Sequence, residues 1–298
     1  GNLFWYHDDL ANSTTEDRRK MLEKWSSKKP AHWYTQESEI VRMLSGTKAD
    51  GSFAQSTIYA DGFNEMLDGT GSGILVYGDT VYYECIPNIW ILKDDPAGSK
   101  AQEKKVLQDG FGVRVSLSGH DLSGSVVGYD GRIWGSVGDR GFNLITREGK
   151  KYNFKNKGAV FRFDPDGSNF EVVHSGLRNP KEIAFDEWGN FITVDNNSDQ
   201  GDEARIVTIV EGADSGWEME HQAMHTFHRE IGIDVRPPSR WMTERMWELQ
   251  NPQQPAYIIP PSGYICAGPS GLTYHPGVGF LDSEKGFFHV CDYRGSTP

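Results

Sequence analysis

Two residue pairs in this chain are best suited to chemistry: a histidine beside a carboxylate, His120-Asp121, and an arginine followed by an amide, Arg178-Asn179. An imidazole with an ordinary pKa near ~6.5 can take a proton from a hydroxyl group at neutral pH. A guanidinium and a carboxamide can hold an anion or a developing oxyanion through charge-assisted hydrogen bonds. Each pair stands just ahead of a short apolar run. Two further polar clusters occupy similar places: Asp139-Arg140, and the loop Asp195–Glu203 with sequence DNNSDQGDE. Arg114 lies just upstream of the histidine. The loop has three Asp and one Glu in nine residues, an oxygen-rich composition that suits Ca²⁺. It departs from an EF-hand, because Gly201 falls at loop position 7 and Ile206 replaces the bidentate Glu. Plainer readings stand beside these. His120 and Arg178 could simply bond backbone carbonyls at a channel wall, and the acidic loop could be a solvated turn.

The elements that must position these residues are β-hairpins. In Gly119–Gly141 the runs Ser125–Val127 and Arg132–Val137 flank the turn Gly128-Tyr129-Asp130-Gly131, a hairpin signal. The same pattern recurs at 71–86, 181–196 and 270–293. A second strand pair with a Gly-bearing turn recurs at 40–63, 89–111 and 160–177. Together they make four-stranded units starting near Gly71, Ser123, Lys181 and Ser270. The first two intervals are close to the roughly 40–50-residue period of propeller blades. The third is longer, which implies an insertion at about 218–262, read as a long loop or short helix over one face.

The expected fold class is therefore all-β: a β-propeller of four-stranded antiparallel blades, about three complete and two partial, spanning 39–298. The six-bladed type is expected, incomplete within these residues. Residues 1–38 form an N-terminal helical segment packed on the propeller. Ser13 is expected to cap a helix near Thr14–Lys28 with Glu16 reaching back, and Pro30 ends it. His7-Asp8-Asp9 reads as a metal cluster or a solvated polar turn. In a propeller, strand-end residues of successive blades converge at the channel, so His120, Arg178 and Asn179 are expected in one pocket bordered by Asp195–Glu203.

Lys and Arg number 30 against 42 Asp and Glu, and the formal charge is −12. That argues against a nucleic-acid surface, which needs clustered cations. No run approaches the roughly 18 apolar residues of a membrane span. No signal peptide is present and the chain opens at Gly1 rather than Met, so a mature or trimmed start is expected, with a lost export signal left open; the expected location is periplasmic or extracellular. Cys85, Cys266 and Cys291 permit one disulfide and a free thiol, or three reduced thiols; their spacing matches no CxxC metal site or haem-attachment motif.

With these residues placed, the chain resembles the propeller domain of bacterial membrane-bound dehydrogenase domain proteins, many of which carry a c-type haem domain. The likeness runs from about Leu3 to Ser296, on LDGTGSG (67–73), GVRVSLSGHDLSG (112–124), VGDRGFN (137–143), GLRNP (176–180), DNNSDQGDEAR (195–205), DSGW (214–217) and CDYRGS (291–296). More distantly it is similar to the soluble PQQ-dependent glucose and sorbosone dehydrogenases. That resemblance implies oxidation of a carbohydrate, with His120 taking the hydroxyl proton and Arg178-Asn179 beside cofactor and substrate. It implies a PQQ-bound Ca²⁺ at the acidic loop, held through the Asn197 and Ser198 carbonyls. The metal set so implied is Asp195, Asn197, Ser198, Asp199, Asp202 and Glu203; the cofactor-facing set is Asn179, Arg140 and Arg294. A haem partner would receive the electrons. The chain departs from those enzymes at Tyr293-Arg294-Gly295, where they have a lysine before Arg-Gly, and at Gly119, where they have an acid before the histidine. The competing reading is a non-enzymatic propeller that binds a glycan or a protein partner.

Overall fold

The structure is a computed structural model that describes residues 5–30, 32–95, 98–115, 119–198, 200–219, 228–229, 232, 240–253, 261–265, 268–275, 277–278 and 281–293. It is mostly β, built from antiparallel hairpins. Strands β1 (Glu39–Thr47) and β2 (Phe53–Phe63) form a two-stranded sheet. Strands β3 (Gly71–Tyr77), β4 (Thr80–Cys85), β5 (Asn88–Asp94) and β6 (Ala101–Gln108) pair in chain order as a four-stranded sheet. Next come β7 (Leu122–Val127) and β8 (Ile133–Val137), then a separate hairpin of β9 (Phe142–Ile145) and β10 (Lys151–Phe154). The sheet resumes with β11 (Gly158–Phe163) and β12 (Glu171–Leu177). Strands β13 (Pro180–Phe185), β14 (Phe191–Asp195) and β15 (Ala204–Thr208) begin the following sheet. The two-residue strand β16 (Ala213–Asp214) turns back and joins β12 in parallel. Strand β17 (Gly263–Ile265) completes the β13 sheet, and β18 (Pro269–Tyr274) pairs with β19 (Phe288–Asp292).

The expected four-strand units are thus present at Gly71–Gln108, from β7 to β12, and from β13 to β17. Two details go beyond the sequence reading. The second unit is interrupted by the β9–β10 hairpin, and the third unit closes only after the insertion, with β17 pairing on β15. Of the insertion, the described part includes a short helix at Arg240–Thr243.

The sheets stack face to face, with apolar layers between them. Val41, Tyr59 and Phe63 of the first sheet meet Tyr83, Cys85 and Leu92 of the second. Tyr82, Ile86 and Ile89 meet Leu122, Val137 and Phe161. Trp134, Val160 and Leu177 meet Ile183, Phe191 and Val207. Ala184 and Val194 meet Leu272. Each layer uses the alternate residues of strands covered on both faces, which is how a strand-only chain builds a core. The first strands of successive sheets also lie against one another, β3 on β7, β7 on β13 and β13 on β18. Their approach is close: a Cβ on Gly124 of β7 would lie 2.6 Å from the Lys181 carbonyl oxygen, at a residue whose φ is +75°. That position requires glycine on both counts.

The N-terminal segment folds as two helices, α1 (Tyr6–Ala11) and α2 (Thr15–Ser26). His7-Asp8-Asp9 is therefore helical rather than a solvated turn. Asp8 accepts from Lys24 (2.6 Å) and Trp25 (2.8 Å), and buried Asp9 accepts the Val115 amide. The capping box is shifted one residue from the sequence reading: Thr14 is the cap, its Oγ1 accepts the Asp17 amide at 3.0 Å, and the Asp17 carboxylate accepts the Thr14 amide at 3.0 Å. Asp17 also accepts the Ser13 amide, so one carboxylate serves two backbone donors, while Glu16 pairs with Arg19. Cys85 is buried and Cys291 exposed, both free thiols; Cys266 lies outside the described residues. Among the described residues no helix is long and apolar enough to cross a membrane.

Glu84 of β4 is a carboxyl buried between sheets. It meets the Ser125 hydroxyl of β7, and its other oxygen has no partner among the described residues. Burial pushes its pKa up to about 7, and the nearby Glu182 adds to the rise. The folded protein therefore holds a proton that the unfolded chain releases above pH ~4.5. Stability from this group is full below that pH and is lost as pH rises through about 7. His174 acts oppositely, since burial and then Arg205 push it down to about 4. Comparing variants at each pH separates the two. Glu84→Gln should match the wild type at pH 4.5 and exceed it by on the order of 3 kcal/mol at pH 8. Equal chemical denaturation curves at pH 8 would refute this.

Candidate functional site

The polar cluster lies where β7, β8 and β13 begin or end. His120 precedes β7, Asp139 and Arg140 follow β8, and Arg178-Asn179 precede β13. Hydrogen bonds tie these strand ends together. The Asp139 amide donates to the Arg178 carbonyl at 2.7 Å, and the Gly138 amide to the Asp121 carbonyl at 3.1 Å. Gly138 is needed for this approach, because a Cβ there would sit 2.7 Å from the His120 carbonyl oxygen.

Within the cluster, His120 Nδ1 lies 2.8 Å from Asp139 Oδ1, with both side chains buried. The indole Nε1 of Trp217 donates to Asp139 Oδ2 at 3.1 Å. Arg140 Nε stands 3.9 Å from Asp139 Oδ1, and the Arg178 guanidinium lies 5.6 Å from the Trp217 ring. Burial alone would raise the Asp139 carboxyl; Arg140, His120 and Arg178 outweigh it and hold it well below the ordinary range. Burial pushes the His120 imidazole below its ordinary value, opposed by Asp139 and reinforced by Arg178 and Arg140. The outcome is a neutral imidazole against an ionised carboxylate. An ionised carboxylate only accepts, so Nδ1 carries the proton and Nε2 keeps a free lone pair. The plain alternative, a histidine bonded to a wall carbonyl, is not what His120 does through Nδ1.

The acidic loop is wired differently from the reading of its composition. The Asp195 carboxylate accepts the amides of Arg178 (3.0 Å) and Asn179 (2.7 Å) and pairs with Arg205 at 2.7 Å. Arg205 also donates to the carbonyls of Ser215 and Gly176. The Asp202 carboxylate accepts the Ser198 amide and hydroxyl and the Trp241 indole (2.8 Å). Glu203 is exposed. Asp195 and Asp202 thus accept from N–H and O–H donors within the protein. Among the described residues no group of three or more His, Cys, Asp or Glu is placed to hold a metal ion. What the loop does present is oxygen of another kind: the side-chain carbonyl of buried Asn197, like that of buried Asn179, has no hydrogen-bond partner among the described residues. Asp199 and Arg294 lie outside the described residues.

Several contributors were not read as site residues from the sequence. Trp217 completes the Asp139 shell, and Met219 places its sulfur 3.1 Å from an Arg140 nitrogen. Trp241 of the insertion stacks edge-on against Trp217 at 5.0 Å and lies under Arg205 at 4.7 Å. The motif DSGW was visible, but only its bonding partner reveals what Trp217 does. Arg114 does not enter the cluster as a ligand group; it donates to the carbonyls of Asp9 and Leu10 and so holds α1 in place.

A family model described as Domain of unknown function (DUF7133) matches residues 14–248. The chain belongs to this family. No functionally curated protein matches it. Among solved structures it is similar to the PQQ-bound aldose sugar dehydrogenase of Streptomyces coelicolor, with a TM-score of 0.50, 16% identity, and coverage of 76% of this chain and 64% of that one. A structure titled glucose dehydrogenase gives a TM-score of 0.55 at 13% identity, covering 84% of this chain and 73% of that one. A further glucose dehydrogenase structure gives 0.55 at 14% identity. These neighbours are β-propellers, and at such identities the likeness is one of fold. This DUF7133 chain spans 64% of the length of the Streptomyces enzyme.

Removing the Asp195 carboxylate should be costly, because it strands Arg205 and two amides in a buried site. Asp195→Ala should lose about 3–5 kcal/mol of unfolding free energy in urea. A loss below about 1 kcal/mol would show that the loop holds its shape without the ion pair.

Proposed function

We propose that this propeller is a sugar-dehydrogenase-like oxidoreductase, with His120 as the base that accepts the proton of a substrate hydroxyl. The observation that carries the reading is the buried His120–Asp139 pair at 2.8 Å beside two arginines. A lone buried histidine would have either tautomer. Bonded to an ionised carboxylate, this one keeps Nε2 as acceptor. Asp139 also steadies the imidazolium formed on proton transfer, and Trp217 fixes the second carboxylate oxygen so that the ring does not swing.

The residues present fit an anionic cofactor such as PQQ. Arg140 and Arg178 both act on the His120 imidazole and on Asp139, so two guanidiniums stand near the ring where an anionic group could meet them. PQQ, when bound, supplies the acceptor for the hydride. Arg140, Arg178 and Asn179 would hold it. A Ca²⁺ accompanying it would take oxygen from Asn179, Asn197 and the loop carbonyls rather than from Asp195 or Asp202. The desolvated site keeps water from competing for the proton and strengthens each charge interaction. A carbohydrate substrate and a periplasmic or extracellular setting belong to the same reading. The haem partner implied by the sequence resemblance lies outside it.

The test is reconstitution with PQQ and Ca²⁺ followed by addition of aldoses. Reduced-cofactor absorbance should appear with the wild type. His120→Ala should lower the rate by roughly 10²–10⁴ while cofactor binding and circular dichroism stay unchanged. The acid limb of kcat/KM should fall below pH ~6.5, because burial holds the imidazole neutral. Asp139→Asn should move that limb lower still, since it removes the group that raises the histidine pKa. Absence of a spectral change across a panel of aldoses, or full activity in His120→Ala, would overturn the assignment.

A further inference from the structure

The strands that start at the His120 cluster end at a second concavity. β7 and β13 are each six residues long, so their far ends lie roughly 20 Å from it. A cavity of about 870 Å³ opens there. Its lining includes Tyr129 from the β7–β8 turn, Glu187 and Trp188 from the β13–β14 turn, Tyr274 and His275 at the end of β18, and Lys285.

Two features distinguish it from an ordinary surface hollow. First, it displays large aromatics: Trp188 is 77% exposed and Tyr129 72%. Burying such side chains would stabilise the fold, so that stabilisation is left unused at two neighbouring turns. Second, the turns are rigidly built. Asp186 Oδ1 accepts the amides of Trp188 (3.0 Å) and Asn190 (2.8 Å), and Asn190 Nδ2 donates to Asp186 Oδ2 at 2.6 Å. The Tyr129 hydroxyl donates to the Asp186 carbonyl at 2.9 Å, which locks one turn to the other. Hydrogen-bonding groups sit among the aromatic faces. The Tyr274 hydroxyl donates to Glu187, His275 Nδ1 accepts the Gly277 amide at 2.7 Å, and the Lys285 ammonium lies 2.7 Å from Asp282. One acid and one base line the cavity, so neither sign dominates.

Aromatic faces exposed to solvent, with neutral-on-balance polar groups between them, match a ligand that alternates apolar faces with hydroxyls. We propose that this pocket binds a neutral oligosaccharide of β-linked pyranoses, stacking its C–H faces on Trp188 and Tyr129 and giving hydroxyls to Glu187 and Lys285. The site is separate from the His120 cluster and needs no cofactor.

Calorimetric titration of the whole chain, without PQQ or metal, with β-1,4-linked hexasaccharides of glucose and of N-acetylglucosamine tests it. At least one should bind and change tryptophan fluorescence. Trp188→Ala and Tyr129→Ala should each weaken binding at least tenfold with circular dichroism unchanged, while Trp188→Tyr, which keeps a platform, should retain most of it. Oxidation of a monomeric aldose, where present, should be unaffected by Trp188→Ala, so the two sites fail or succeed independently. No binding of either hexasaccharide at millimolar concentration, or equal affinity in Trp188→Ala and Tyr129→Ala, overturns the proposal.

Discussion

A single buried carboxylate, that of Asp139, holds the candidate site together. Burying an unpaired carboxylate is costly, so its surroundings must supply donors and positive charge. They come from four places in the chain: His120 before β7, Arg140 next door, Arg178 before β13, and Trp217 after β16. The same residue's amide bonds the Arg178 carbonyl. Satisfying one charge therefore fixes the relative position of two blades at their shared end. It also decides the tautomer of His120, while burial and the two arginines, against the pull of Asp139, keep that ring neutral.

A second buried charge pair extends this arrangement outward. Asp195 and Arg205 bind each other and four backbone groups: the amides of Arg178 and Asn179 and the carbonyls of Gly176 and Ser215. The pair stiffens the turn that carries Arg178 and the loop that carries Asn197. Trp241 covers it from the insertion. Burial of this kind rarely adds net stability, but removing either partner is severe, which suits a device that specifies one geometry. From the other side, α1 is clamped by Arg114 and the Val115 amide, which brings Asp9 into electrostatic reach of Arg140. The N-terminal segment is thus part of the wall of the site.

The two ends of the inner strands have contrasting chemistry. At the His120 end, charges are buried and paired. At the far end, Tyr129 and Trp188 stand in solvent on turns braced by Asp186. Strand geometry links the ends but keeps them independent, since a residue at one end of a six-residue strand has no contact with the other.

Much of the fold was legible in the sequence, because hairpins announce themselves locally. A turn such as Gly128–Gly131 needs Gly and Asp at set places, and strands with alternating apolar residues need a partner on each face. The four-strand units followed from repetition of that local signal, and His120, Arg178 and Asn179 stood out because each pair precedes the first strand of a unit. The cap of α2 was misplaced by one residue, since Ser13 and Thr14 are both competent and only the reach of Asp17 selects between them. The interruption of a blade by β9–β10, and the closing of another by β17 after a long insertion, involve partners distant in sequence that no local pattern specifies. The acidic loop shows the limit most clearly. Composition left the loop open between a Ca²⁺ site and a solvated turn, and only the structure shows that Asp195 and Asp202 accept from Arg205, Ser198, Trp241 and two amides of another turn. By itself the sequence determined which residues are able to do chemistry. Tertiary structure decided which of their lone pairs remain available, because that depends on donors that arrive only when separate blades are packed together.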